Sequence, residues 1–269
     1  MGNGEKINFC ILFITQEDPF YVKFLFDEFL RTYKHLAEIK GVVITPAMGN
    51  KSLFKFARQM YDFYGPIDFL KMALRYAGYK IIAIAPSFLR SNNPYSLAQL
   101  CKYYGIRVIH ENNLNSMHFL HKLKGMSLDL IISVAAPVIF KQDLIQLPSW
   151  GCINIHNAKL PKYRGMMPNF WQMYHNEKSV GITIHEINPI IDDGRIILQK
   201  EVDINPNETL DSLLKRTKRM GAHYMIEAIN MIKSGNIKYM ENDAMQASYF
   251  SFPTREDVKE FKRREKKII

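Results

Sequence analysis

The stretch Gly-Cys-Ile-Asn-Ile-His, residues 151–156, decides the fold prediction. It follows an apolar run at residues 128–140, and is predicted to form a further short strand of the same sheet. Side chains alternate between the two faces of a strand, so Asn154 and His156 point to the same face. We therefore expect an amide and an imidazole side by side at the carboxyl end of a strand. Open α/β sheets bind their ligands outside those ends.

Apolar runs alternate with amphipathic segments along most of the chain. Strands are predicted at residues 7–15, 39–45, 80–86, 107–109, 129–134, 151–156 and 181–187. Helices are predicted at residues 20–33, 94–104, 115–124, 167–175 and 207–233, and as a pair within 52–78 that breaks at Gly65-Pro66. This alternation is typical of βαβ units. It predicts an α/β fold: a Rossmann-like, open, mostly parallel sheet with helices on both faces.

The end of the chain has a different pattern, which divides the sequence into two parts. Residues 1–235 are predicted to form the main domain, and residues 236–269 a short C-terminal extension. Within the extension, residues 237–240 and 247–252 are predicted to pair as a small hairpin. Residues 262–267 include five basic side chains, a composition typical of a solvated helix face.

Composition limits the class of protein and its partners. The chain has 269 residues, of which 47% are hydrophobic, enough for one sizeable core. The three cysteines, Cys10, Cys101 and Cys152, are widely spaced, which favours a reducing, cytoplasmic setting without a disulfide framework. The net charge of +10 favours an anionic partner but does not identify it.

Several other classes of protein are disfavoured. The apolar run at residues 130–140 is shorter than the ~20 residues that span a bilayer, so no membrane partner is expected. The first turn, residues 15–19, lacks G-x-G-x-x-G, which counts against a nicotinamide enzyme. His118 and His121 are spaced like metal ligands but have no acidic partner, so no metal site is predicted. Residues 52–78, which are rich in aromatic and basic side chains, are expected to form two helices whose aromatic side chains pack inward.

A third polar group joins Asn154 and His156 from a later part of the sequence. Asp192 lies 38 residues after Asn154, far enough for a helix and a strand to intervene. Each signal is weak by itself, since Asn-x-His on a strand is often a structural pair and Asp-Asp-Gly is often a turn. Together, Asn154, His156 and Asp192 form a plausible acyl-transfer site, with Asp193 as the alternative carboxylate.

Four motifs in this region carry a resemblance to a known family. They are Gly-Cys-Ile-Asn-Ile-His (151–156), Leu-Pro-Lys-Tyr-Arg-Gly (160–165), Gly-Ile-Thr-Ile-His (181–185) and Ile-Asp-Asp-Gly-Arg-Ile-Ile (191–197). In sequence and spacing the segment from residue 129 to 202 resembles the folate-dependent formyltransferases. That family includes methionyl-tRNA formyltransferase, glycinamide ribonucleotide formyltransferase and the sugar N-formyltransferases.

The resemblance implies an activity and the residues that perform it. The activity would be transfer of a formyl group from 10-formyltetrahydrofolate, as co-substrate, to a primary amine without a metal. Asn154, His156 and Asp192 match the family's catalytic residues. The pterin ring would bind along the backbone of a small, apolar loop and beside the residues that precede Asp192. These positions are Ala135, Ala136, Pro137, Val138, Ile139, Ile190 and Ile191.

The resemblance also bears on the amine acceptor. Residues 165–171, Gly-Met-Met-Pro-Asn-Phe-Trp, are similar to sugar N-formyltransferases, which favours an anionic amino-sugar nucleotide. Methionyl-tRNA formyltransferase carries a second, tRNA-binding domain that the residues after Lys233 are too few to form. The basic tail and the net charge keep charged initiator tRNA as the alternative acceptor, and a homodimer is a further expectation.

Overall fold

The computed structural model describes residues 9–18, 20–46, 52–84, 94 and 96–269. Seven strands form the central sheet: β1 (Cys10–Gln16), β2 (Glu38–Thr45), β3 (Val108–His110), β4 (Leu130–Val134), β5 (Cys152–His156), β7 (Ser179–Glu186) and β8 (Ile196–Asp203). Their order along the sheet is β3-β2-β1-β4-β5-β7-β8. The pairings from β3 to β5 are parallel, and β7 and β8 add antiparallel strands at one edge. The predicted fold class is confirmed.

Helices cover both faces of this sheet. They are α1 (Val22–Tyr33), α2 (Leu53–Tyr64), α3 (Pro66–Ile84), α4 (Leu97–Tyr103), α5 (Met117–Lys124), α6 (Gln142–Ile145), α7 (Pro168–Tyr174), α8 (Leu210–Lys233) and α9 (Arg255–Arg263). Alternate residues of β1 pack on opposite faces of the sheet. Phe13 belongs to the larger hydrophobic cluster, with residues of α1 and α8, and Ile14 belongs to the smaller cluster, with residues of α5. A sheet buried on both faces explains why its strands are continuous apolar runs.

A second, two-stranded sheet lies outside the main one. It pairs β6 (Arg164–Gly165) with β9 (Tyr249–Phe250) in parallel. The predicted hairpin of residues 237–240 with 247–252 is therefore wrong. The two segments pair with other strands and not with each other. Strand β9 pairs with β6, and Met240 forms an isolated bridge with Ile196 at the start of β8.

The strand predicted at residues 80–86 is also wrong within the part that the structure describes. Residues 80–84 form the last turn and a half of α3, and residues 85 and 86 lie outside the described residues. A short apolar run fits a buried helix and a buried strand equally well, so the periodicity of the sequence could not distinguish the two. The strand predicted at 7–15 is found as Cys10–Gln16, and residues 7 and 8 likewise lie outside the described residues.

The helix pair predicted at residues 52–78 is present, with its break at Gly65-Pro66. The expected inward packing of its aromatic side chains is only partly correct. Phe63 and Tyr64 are buried, but Phe54 is 75% exposed and Tyr76 is 46% exposed. None of the helices in the described ranges could cross a membrane, since each is too short or too polar.

Candidate active site

Strand β5 delivers the first two residues of the site. It is parallel to β4 and antiparallel to β7, so Asn154 lies between Ser133 on one side and His185 on the other. Asn154 and His156 are two residues apart on one face, as the alternation requires. His156 is the last residue of β5 and is 7% exposed.

Asp192 reaches the same point from the connection between β7 and β8. Its backbone is left-handed, with φ 53°, and the backbone N–H of Gly165 donates to Asp192 Oδ2 at 2.8 Å. Asp192 Oδ2 is 3.6 Å from His156 Nδ1, and Asp192 Oδ1 is 3.5 Å from Asn154 Nδ2. The structure thus brings together the three residues that the sequence predicted to converge.

The hydrogen bonds of His156 define which ring nitrogen is available for chemistry. Nε2 lies 2.8 Å from the backbone oxygen of Tyr163, which can only accept, so Nε2 carries the hydrogen. In the neutral ring Nδ1 then holds a lone pair that faces the Asp192 carboxylate. Burial lowers the pKa of His156, and the negative charge of Asp192 opposes that effect. His156 is therefore a neutral base that can take a proton at Nδ1.

Asp192 remains ionised beside this ring. Burial by itself would raise the pKa of Asp192, but His156, His185 and the Gly165 N–H hold that pKa below its ordinary value. A carboxylate fixed in this way stabilises an imidazolium at position 156 without taking the proton itself.

His185 is a fourth polar residue of the site, and sequence reasoning assigned it no role. Its Nε2 is 3.2 Å from Asn154 Nδ2 and 3.6 Å from Asp192 Oδ1, and its Nδ1 donates to the backbone oxygen of Glu186 at 2.7 Å. That second contact makes Nε2 an acceptor for one Asn154 hydrogen in the neutral ring. The other Asn154 hydrogen points to Asp192 at the limit of hydrogen bonding, so a stronger acceptor can take it. The signal in the sequence was the end of the Gly-Ile-Thr-Ile-His motif.

The structure also separates Asp192 from its neighbour Asp193. Arg164 Nη1 donates to Asp193 Oδ1 at 2.6 Å, and Asn188 Nδ2 donates to Asp193 Oδ2 at 3.1 Å. Both oxygens of Asp193 are thus used in contacts away from His156. The choice of Asp192 over Asp193 follows from this geometry.

Asn242, in the C-terminal extension, holds the turn that carries Asp192. Its Nδ2 donates to the backbone oxygens of Asp192 and Gly194, both at 2.9 Å. Its Oδ1 accepts from Arg164 Nη2 at 2.9 Å, and Arg164 in turn pairs with Asp193. This contact was not predicted, because no local pattern marks a lone Asn in an irregular segment as a partner of a distant turn.

A cavity of about 350 Å³ opens on the Asp193 side of this turn. It is lined by Asp193, Arg195, Tyr239, Met240, Glu241 and Asn242. The lining contains neither Asn154 nor His156, so this cavity does not contain the three converging groups.

The seven residues predicted to contact a pterin ring fall in two segments that adjoin, along the chain, the elements carrying the three polar groups. Ala135 directly follows β4, whose Ser133 pairs with Asn154, so residues 135–139 begin next to the site. Ile190 and Ile191 are 62% and 40% exposed and immediately precede Asp192. His118 and His121 are exposed on α5.

Asn154 and His156 on β5 and Asp192 in the β7–β8 connection lie together in a Rossmann-like fold, the arrangement predicted for an acyl-transfer site. The comparison with protein families agrees, since the family described as formyl transferase matches residues 79–229. The chain belongs to this family, and the resemblance stated from its motifs is confirmed.

Individual relatives differ in what they act on. Methionyl-tRNA formyltransferase of Kosmotoga olearia is 35% identical over 165 residues, which cover 61% of this chain and 53% of that protein. The chain thus spans about half the length of this relative.

Two solved structures share the fold. Glycinamide ribonucleotide transformylase 1 from Symbiobacterium toebii has a TM-score of 0.60 at 14% identity, covering 89% of this chain and 100% of the other. The N-formyltransferase from Helicobacter canadensis, in complex with folinic acid and dTDP-3-aminofucose, has a TM-score of 0.52 at 20% identity. That match covers 89% of this chain and 70% of the other.

Proposed function

We propose that this protein transfers a formyl group from 10-formyltetrahydrofolate to a primary amine. The observation that carries the proposal is the convergence of Asn154, His156 and Asp192 in a chain of the formyl transferase family. The co-substrate supplies the activated formyl group and a folate nitrogen as leaving group. The loop at residues 135–139, with Ile190 and Ile191, would hold its ring.

The roles of the side chains follow from their contacts. The acceptor amine forms a bond to the formyl carbon, and Asn154 donates its weakly held Nδ2 hydrogen to the oxygen on which negative charge develops. His156 accepts at Nδ1 the proton that the amine loses, and Asp192 stabilises the imidazolium. As the bond from the formyl carbon to the folate nitrogen breaks, His156 returns the proton to that nitrogen. No nucleophilic side chain is required, because the amine itself attacks.

Substitution of His156 tests this assignment. We expect His156→Ala to lose roughly 10²–10⁴-fold in turnover, and Asn154→Ala roughly 10²–10³-fold, with the fold intact by circular dichroism. The matched control is His35→Ala, an exposed histidine between α1 and β2 that should keep the wild-type rate. Turnover is read as release of tetrahydrofolate. A wild-type rate in His156→Ala or Asn154→Ala would refute the proposed roles.

For the acceptor we propose an amino-sugar nucleotide. The support is the likeness of residues 165–171 to sugar N-formyltransferases and the net charge of +10, which suits a diphosphate. Charged initiator tRNA is the second candidate, supported by the identity with methionyl-tRNA formyltransferase. As part of the same proposal the protein acts in the cytoplasm, where its three buried cysteines stay reduced.

An acceptor screen separates the two candidates. The protein is mixed with 10-formyltetrahydrofolate and, in turn, amino-sugar nucleotides or charged initiator tRNA, and tetrahydrofolate release is followed. We expect release with an amino-sugar nucleotide. Formylation of the tRNA, together with salt-sensitive tRNA binding in a filter assay, would replace the sugar assignment.

A further inference from the structure

Helix α3 carries a row of large apolar side chains that face away from the protein. Ile67, Leu70, Leu74 and Ile81 are 70%, 60%, 64% and 64% exposed. At 3.6 residues per turn they fall within a stripe about 60° wide along the helix. We call these four residues the α3 stripe. Ile67, Leu70 and Leu74 lie on successive turns, and Ile81 lies two turns beyond Leu74, with Ala77 and Gly78 between them. Side chains grouped in this way differ from the scattered apolar residues found on every protein surface.

The opposite side of α3 attaches the helix to the rest of the protein. Met72 is 5% exposed, and the Tyr79 ring lies 5.5 Å from the ring of Phe20. By helical spacing these two residues lie opposite the α3 stripe. The helix is therefore held in place by one side only, with its apolar side turned to solvent.

Basic residues flank the α3 stripe. Lys71 lies on one side and Lys80 on the other, whereas Arg75 pairs with Asp211 of α8 at 4.0 Å. Helices α2 and α3 together carry five basic and two acidic residues, so this surface shares the positive charge of the whole chain. One acidic residue, Asp68, already pairs with Lys71 at 3.0 Å. Helix α2 adds Phe54, which is 75% exposed.

We propose that the α3 stripe binds the surface of an anionic lipid bilayer, with α3 lying in the plane of the interface. A helix with one apolar side and flanking lysines inserts that side among the acyl chains while the lysines contact acidic headgroups. This binding needs no spanning segment. It departs from the expectation of no membrane partner, which depended on the absence of a spanning run. It is independent of the proposed enzymatic activity.

The charges favour a bilayer over a second copy of the chain. The spacing of three and four residues in the α3 stripe would also suit a pair of identical helices. In such a pair, however, Lys71 and Lys80 would meet the basic flanks of the other copy, and like charges across an interface are unfavourable. An acidic lipid surface complements the same residues.

Sedimentation with lipid vesicles tests the proposal on the full chain. We expect the protein to sediment with vesicles of phosphatidylcholine and phosphatidylglycerol, and to stay in solution with phosphatidylcholine alone. In the double variant Leu70→Glu/Leu74→Glu, binding should fall roughly tenfold or more, because two charges replace inserted side chains. Lys71→Glu/Lys80→Glu should lose binding as well, with the apolar side chains unchanged.

The matched control replaces two exposed apolar residues elsewhere on the surface. Met117 and Met245 are 75% and 96% exposed, and Met117→Glu/Met245→Glu should bind vesicles as the wild type does. Circular dichroism checks that all variants keep the fold. The proposal is overturned if the wild type ignores anionic vesicles or if Leu70→Glu/Leu74→Glu binds them normally. It is also overturned if light scattering shows a dimer that Leu70→Glu/Leu74→Glu dissociates, which would identify a second copy as the partner.

Discussion

At the scale of single residues, the candidate site depends on the electrostatics of one buried imidazole. His156 is neutral because burial disfavours its charged form, and Asp192 limits that effect. The unfolded chain has a histidine of ordinary pKa, about 6.5, and so binds a proton that the folded chain resists. Below that pH the unfolded chain takes up this proton more readily than the folded chain, so His156 lowers the free energy of unfolding. Above that pH neither state binds the proton, and His156 no longer affects the free energy of unfolding through its titration. Catalysis by Nδ1 should persist to a lower pH than an exposed histidine would allow.

Replacing Asp192 by Asn tests this coupling directly. Removing the carboxylate takes away the charge that favours the imidazolium, so the pKa of His156 should fall further. We expect the acidic limb of the rate profile to move to lower pH in Asp192→Asn, with turnover reduced. NMR titration of the His156 ring measures the same shift. Asp193→Asn is the control, since Asp193 pairs with Arg164 and should leave the titration unchanged. An equal shift in both variants would contradict the assignment of Asp192.

At the scale of elements, the turn between β7 and β8 is fixed by hydrogen bonds from segments distant in the sequence. The Gly165 N–H of β6 and the side chain of Asn242 both bind it. Gly165 has φ 94°, and an added Cβ would lie 2.3 Å from the Phe250 oxygen of β9. The small β6–β9 sheet thus requires a glycine at the point where its backbone also contacts Asp192.

The contribution of Asn242 is measurable. In Asn242→Ala two backbone oxygens of the turn lose their donor, and we expect the free energy of unfolding to fall by about 1–3 kcal/mol. Turnover should fall roughly ten- to hundredfold, because Asp192 is no longer held at its distance from His156. Asn230→Ala is the matched control, since Asn230 is an exposed asparagine of α8, outside the β7–β8 connection. Steady-state kinetics and thermal melting report both effects. Unchanged turnover in Asn242→Ala would show that the turn keeps its geometry without this contact.

At the scale of the whole molecule, the C-terminal extension shares the main core. Phe261 is fully buried, and its ring stacks on Phe170 of α7 at 4.6 Å. The backbone oxygens of Lys267 and Ile268 accept from the first residues of α8, Leu210 and Asp211. The division at residue 235 therefore separates segments of sequence that share one hydrophobic cluster.

The shared cluster predicts how the protein unfolds. We expect Phe261→Ala to lower the free energy of unfolding by about 3–5 kcal/mol, because it leaves a cavity in the core. Phe54→Ala, at an exposed site on α2, should change it by less than about 0.5 kcal/mol. Denaturant titration followed by circular dichroism measures both values. A separate early transition in Phe261→Ala would contradict a shared core.

Local patterns were sufficient for much of the fold and for the three polar groups. The apolar runs at β1, β4 and β5 are long enough to be recognised, and Asn154 and His156 share a face by alternation alone. The last turns of α3 were predicted as a strand because a short apolar run fits both structures. The pairing of β9 with β6 could not be predicted either, because backbone pairing between distant segments leaves no periodic trace in side chains.

The sequence by itself determined the class of sheet, the family motifs and the three residues predicted to carry the chemistry, because these depend on residue type and on spacing along the chain. Only the tertiary structure decided which of Asp192 and Asp193 faces His156, that His185 and Asn242 support the site, and that α3 exposes an apolar stripe. These facts depend on distances between segments far apart in sequence. Such distances are set by packing of the whole chain and not by any local preference.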